Sequence, residues 1–342
     1  MRKTRTLTLL ACIVGLFMVV GLTACGSDKK SSSSSGSSGG GDTTASKEEP
    51  KTIAVNMYSR ELPYFQEILK GLETEAKKYN WTIKATFANN DPTQQINQVQ
   101  NAVTKQPDAM VVVPIDENAI VPPIQQAKAA NVPVMTMGDN VAESGRDAQL
   151  AFLGVNYVDL GKEKAQFMVD QLKGKGKIGW VHGIRGLNFS ERQVEGAKPV
   201  FEGASGITLV DGPYTGAFSS DKGLSATENL LSRDPGLNAL FFDNDDIALG
   251  GIQAIKDRGI NQDKILVVAT DGGPPALAAV KKGELDATIS LCGYAQGVKA
   301  IDVLHDFLVN GTKPPAEIFT PTLLFTKDNL AKNIEQVKSG QC

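Results

Sequence analysis

The feature that most constrains this chain is an alternation, sustained from about Lys51 onward, of short apolar runs with stretches whose apolar residues recur at helical spacing. Residues 53–57, 81–88 and 109–113 and the run ending at Met137 predict strands. Phe65, Ile68, Leu69, Leu72 and Ala76 share one face of a helix between the first two, and further helices are predicted over 93–105 and 118–130. After a short strand at 151–153 the pattern starts again: Gly161, Ala165, Met168 and Leu172 form a helical stripe, and 177–182, 207–211, 237–242 and 265–270 read as strands. Repeated strand–helix units build a parallel sheet covered on both faces, and their number fits two doubly wound halves. The pattern does not say which late elements return to the first half.

Three of these strands end in polar clusters. Residues 237–242 run into Asn244, Asp245 and Asp246, the strand ending at Met137 runs into Gly138, Asp139 and Asn140, and residues 265–270 run into Asp271-Gly272-Gly273-Pro274. A helix N-cap accounts for one polar side chain of such a cluster, not for three. Ligands of open α/β sheets bind at the carboxyl ends of strands, so these ends are expected to line one cleft.

The amino terminus carries a separate signal. Arg2, Lys3 and Arg5 precede an apolar run from Leu7 to Val20, which is closed by Leu22-Thr23-Ala24-Cys25. The run is too short for a comfortable membrane span. The segment resembles lipoprotein signals, which implies a signal peptide over 1–24, cleavage before Cys25 and a diacylglycerol on its sulfur. Residues 25–50 are nearly all Ser, Gly, Thr, Lys, Asp and Glu and bury no core, as expected of a tether. The expected location is extracytoplasmic, with the folded body anchored to the cell membrane through Cys25, at the cell surface or in a periplasm.

Other functions are disfavoured. A net charge of −3 on 342 residues, with no basic stripe interleaved with aromatics, argues against nucleic acid as a partner. No GxSxG, HExxH or CxxC motif occurs, and Gly174-Lys175-Gly176 lacks a phosphate-loop spacing, so no enzyme activity, cofactor or metal is expected. His182 ends a strand and His305 lies on a helical stripe with Ile301 and Leu308. Cys12 falls in the signal and Cys25 carries lipid. Cys292 and Cys342 could pair in an oxidising compartment, but the expectation is that they do not.

Six phrases, in order along the chain, carry a resemblance: Pro63-Tyr64-Phe65, Asn131-Val132-Pro133-Val134, Asn244-Asp245-Asp246-Ile247-Ala248-Leu249-Gly250, Asp271-Gly272, Lys282-Gly283-Glu284-Leu285-Asp286-Ala287-Thr288-Ile289 and Phe325-Thr326-Lys327-Asp328-Asn329-Leu330. Residues 51–332 are similar to the periplasmic sugar-binding proteins of ABC importers, the group of the ribose- and galactose-binding proteins. The same body resembles the effector domain of lactose-repressor-type regulators. The resemblance implies an α/β fold of two doubly wound parallel-sheet, Rossmann-like domains joined by a three-strand hinge, the type I periplasmic binding protein fold. One lobe takes residues 51–155 with 292–321, and the other 156–291 with 322–342. It also implies a monomer that closes on a sugar or sugar-like polyol by hinge bending and delivers it to a membrane permease and ATPase. Presentation of ligand to a membrane sensor, or binding of a less hydroxylated ligand such as a nucleoside, stays open.

Residue by residue, Tyr64 and Phe65 fall on the family's first-domain aromatic positions and Phe218 on the second-domain ring. Asn244 and Asp271 match polar ligand contacts, and Arg192 lies near the binding arginine at a shifted distance from Gly196. Leu62, Val113, Gly138 and Leu291 stand where the family has polar contacts, with Asp139 able to supply the missing carboxylate. A pocket so depleted suits a ligand with fewer hydroxyls, because an unmatched buried hydroxyl costs roughly 1–3 kcal/mol.

Overall fold

The computed structural model describes residues 49–340 and residue 342. The expected signal peptide, the lipidated Cys25 and the tether up to residue 48 lie outside the described residues.

The chain first lays down β1 (Thr52–Met57), α1 (Pro63–Lys78), β2 (Thr82–Phe87), α2 (Pro92–Val103), β3 (Ala109–Val112), α3 (Val121–Ala129), β4 (Val134–Met137) and β5 (Ala151–Gly154). It continues through α4 (Tyr157–Gln171), β6 (Lys175–His182), α5 (Asn188–Gly203), β7 (Gly206–Tyr214), α6 (Ser220–Arg233), β8 (Ala239–Phe242), α7 (Asp245–Asp257), β9 (Leu266–Asp271), α8 (Pro274–Lys282) and β10 (Ala287–Ser290). It ends with α9 (Gly293–Leu308), β11 (Glu317–Phe319), β12 (Leu323–Thr326) and α10 (Leu330–Lys338).

Two six-stranded sheets result, ordered β11-β5-β4-β3-β1-β2 and β12-β10-β9-β8-β6-β7. Every pairing is parallel except β12 against β10. The central strands are buried along their whole length, AMVV in β3 and ALFF in β8, as strands covered on both faces must be. Local chemistry sets the helix starts and stops: prolines open α1, α2 and α8, Asp91 accepts from the amides of Thr93 and Gln94, and Gly283 closes α8 with φ 75°.

The late elements divide between the sheets. β11 adds to the edge of the first sheet beside β5, while β12 joins the second beside β10. α9 returns to the first lobe and lies against α1 so closely that a Cβ on Gly71 would strike the Tyr294 carbonyl, and one on Gly297 the Ile68 carbonyl. The backbone therefore passes between lobes three times, after β5, after β10 and between β11 and β12.

The cysteines depart from expectation. Cys292 and Cys342 form a disulfide with Cα atoms 4.5 Å apart. The pairing was expected not to form between residues 50 positions apart; the fold forms it by placing Cys342 beside the second crossing.

Candidate functional site

The strand order of each sheet reverses direction once, between β1 and β3 in the first and between β6 and β8 in the second. The carboxyl ends of strands at such points leave a crevice. Here the two crevices face each other across one cavity, which encloses about 500 Å³ with its mouth included. From the first lobe it is lined by Tyr58 after β1, Leu62, Tyr64 and Phe65 at the start of α1, Val113 after β3, and Gly138 and Asp139 after β4. From the second come Tyr157, Leu187, Phe189 and Phe218 at helix starts, Asn244 after β8, Asp271 at the end of β9 and Leu291 after β10.

The aromatic rings are fixed by one another and by hydrogen bonds. Tyr58 stacks on Phe65 with centroids 5.3 Å apart, and Phe189 meets Tyr157 and Phe218 edge-on at 5.1 and 5.6 Å. The Tyr64 hydroxyl donates to Gln296 Oε1 at 3.0 Å, and the Tyr157 hydroxyl to the Gly138 carbonyl, also at 3.0 Å. The second bond ties the lobes together at the back of the cavity.

The polar side chains have firm supports. Asn244 does two things: its Oδ1 caps α7 by accepting from the Ile247 amide at 3.1 Å, and its Nδ2 reaches Asp271 Oδ2 at 3.3 Å. Asp271 itself has φ 125°, a conformation that disfavours any side chain and is held only where the surroundings impose it. Burial and the carboxylates of Asp245 and Asp246 push its carboxyl well above the usual range, against the Asn244 bond and the charge of Lys164. Across the cavity, Asp139 Oδ1 accepts from Asn188 Nδ2 at 3.2 Å, a contact between lobes; burial still raises its carboxyl to about 7.

Behind the second-lobe wall lies a lysine that sequence reading did not single out, its pKa lowered to about 7 by burial. Lys164 is fully buried in α4, and its Nζ donates to Gln193 Oε1 at 2.6 Å, the Phe242 carbonyl at 2.7 Å and Thr270 Oγ1 at 2.8 Å. Those acceptors sit in α5 and just before Asn244 and Asp271, so one ammonium fastens a helix to the two strand ends that enter the cavity.

Of the residues proposed from sequence, Tyr64, Phe65, Asp139, Phe218, Asn244 and Asp271 all line this one space. Arg192 does not. Phe189, Gln193 and Gly196 form the buried face of α5, which turns Arg192 to its flank, where Nη1 pairs with Glu195 at 2.7 Å and the side chain is 48% exposed. Tyr58, Tyr157, Leu187 and Phe189 were missed. Tyr58 follows a strand end and the strand-end rule would have found it; the other three sit on segments that only the folded crossing brings round. His182 is buried between the rings of Trp180 and Tyr214 and bonds Asp211 at 2.7 Å, while His305 stacks on Tyr79 at 3.9 Å.

The family of periplasmic binding protein domains matches residues 53–313. The chain belongs to that family. Its fold is the type I periplasmic binding protein fold of two α/β lobes. It is 31% identical over 280 residues to the ribose import binding protein of Bacillus subtilis, covering 81% of this chain and 87% of that one. It is 28% identical over 319 residues to the xylitol-binding protein of Mycolicibacterium smegmatis, covering 93% and 85%. The crystal structure of the periplasmic ribose ABC transporter protein from Conexibacter woesei superposes with a TM-score of 0.78 at 37% identity, over 86% of this chain and 98% of its own. Relatives of this kind are sugar-binding proteins of ABC importers, and the family is one of substrate-binding proteins.

Proposed function

We propose that the protein is the substrate-binding component of an ABC importer, anchored outside the cytoplasm by lipid on Cys25, and that it captures one small sugar-like ligand between its lobes and hands it unchanged to a permease. The observation that carries this reading is the single cavity at which strand ends of both sheets meet, with aromatic rings from both lobes and the polar groups of Asp139, Asn244 and Asp271. Relatives named for ribose and xylitol binding support a polyhydroxylated ligand. Leu62, Val113, Gly138 and Leu291 all border the cavity, which favours a ligand with fewer hydroxyls than a hexose, because each unmatched hydroxyl would cost roughly 1–3 kcal/mol.

The test is a thermal-shift screen of sugars, polyols and nucleosides on the full-length protein in mild detergent. A ligand at about 100 times its dissociation constant should add roughly 2.7 kcal/mol to stability. Asp271→Asn should weaken that ligand by roughly ten- to hundred-fold, the loss of a charged hydrogen bond, while melting no lower than wild type, since it removes a buried carboxylate. A screen without any shift, or product formed from a bound candidate, would refute the reading.

A further inference from the structure

The cavity has an unusual charge balance. Asp139 from the first lobe and Asp271 from the second line the same space, and among the described residues no Lys, Arg or His lines it. Arg192, the one cation that sequence suggested, is engaged with Glu195 outside.

The surroundings do not make up the deficit. Asp243, Asp245 and Asp271 all act on one buried amine, Lys164, whose pKa burial lowers to about 7 and whose three hydrogen bonds go to Gln193, Phe242 and Thr270. Asp246 adds a further negative charge beside Asp271. Asp243 accepts from Trp180 Nε1 and the Gly183 amide with His182 Nδ1 at 3.9 Å, and Asp245 accepts from Thr288 Oγ1 and the Gly273 amide. On the first-lobe side Asp139 accepts from the Asn188 amide, with Glu117 nearby. Arg185 lines the adjoining groove, which Asp139 also borders together with Asp116 and Glu117, but its guanidinium lies over the Tyr214 ring at 4.0 Å.

Hydrogen-bond donors are also scarce. The Tyr64 and Tyr157 hydroxyls already donate to protein oxygens, and the Asn244 amide is turned to Asp271. What remains is carboxylate oxygen, aromatic faces and the Tyr58 hydroxyl, and carboxylate with aromatic faces is the combination that recognises ammonium groups through charge-assisted hydrogen bonds and cation–π contact.

We propose that the ligand of this cavity is a cation, a small hydroxylated amine of the amino sugar or amino polyol class, whose ammonium group is held by Asp139 and Asp271 against the aromatic walls. This rests on the cavity being the ligand site. With a neutral sugar the two carboxyls have no counter-charge to ionise against and stay raised as burial leaves them, whereas an ammonium supplies the charge and the donors together. The carboxyl of Asp139, raised to about 7 in the empty cavity, and that of Asp271, raised as well, would be held ionised by the ligand, so binding near neutral pH releases protons.

Matched pairs test this by calorimetry on the full-length protein in mild detergent: D-glucosamine with D-glucose, D-galactosamine with D-galactose, 1-amino-1-deoxysorbitol with sorbitol, and ribose, xylitol and myo-inositol as neutral controls. The amine of at least one pair should bind at least tenfold more tightly than its neutral partner, with a binding heat that depends on the buffer's ionisation enthalpy. Asp139→Asn and Asp271→Asn should each reduce the preference for the amine. Neutral members binding as tightly as their amines would overturn the cation assignment and leave the ligand-binding reading standing. No binding by any member, charged or neutral, would count against both.

Discussion

Asp139 is a carboxyl that the folded protein holds in its protonated form up to about pH 7, whereas at the ordinary value of 3.8 it would already be ionised in acid. Folding therefore favours the proton, and the stability linked to it is full below pH 4 and is lost as pH rises through 7. Asp139→Asn, neutral at every pH, should melt close to the wild type at pH 4 and above it at pH 8, measured by calorimetry without ligand. A variant that melts lower than wild type at pH 8 would show that the carboxylate supports the fold instead. Asp271 shows how far single residues were legible. Its position after a strand marked it as polar and cleft-facing, and it lies there; its φ of 125° and its crowding with Asp245 and Asp246 arise from β9 and α7 meeting, which no local window contains. Asn244 was read either as a helix cap or as a cleft residue. Its two amide atoms divide the roles.

Among the elements, α9 contributes what its sequence least advertised. Gly71 of α1 and Gly297 of α9 each meet the other helix's backbone with no room for a Cβ. Gly71→Ala should force the pair apart and cost about 1–3 kcal/mol, read as a lower denaturation midpoint with unchanged ligand selectivity. The periodicity of Ile68, Leu72 and Ala76 predicted α1 and its buried face, because that pattern is local. The destination of α9 depends on a chain crossing that no local pattern contains, and only the family resemblance, which put 292–321 with the first lobe, pointed to it. The disulfide is a second non-local feature: closing a loop of 50 residues, it is worth about 4 kcal/mol on chain-entropy grounds, so Cys342→Ser should lower stability by roughly 2–4 kcal/mol in oxidising buffer and change nothing after reduction of the wild type. Lys164 escaped notice for a related reason, since one lysine on a helix reads as solvated until Gln193, Phe242 and Thr270 close around it.

For the whole molecule, repeated strand–helix units and the ordered set of six phrases were enough to read two doubly wound lobes, because parallel sheets need both faces covered and say so in their composition. The anchor proposed at Cys25 makes a prediction at this scale: Cys25→Ala should release the protein from membranes or leave it unprocessed, and a processed chain that stays membrane-bound would refute it, as followed by fractionation and intact mass. The three crossings have a consequence in time. The first sheet takes its edge strand β11 from Glu317–Phe319, and α1 takes its partner helix from Gly293–Leu308, so neither is available until most of the chain has been synthesised. Ile68 and Leu72 stay without their cover until then, and the first half to leave the ribosome is among the last to be finished. A nascent chain of this design remains open and threadable for most of its synthesis, and its folding, governed by contacts hundreds of residues apart, is expected to be slow.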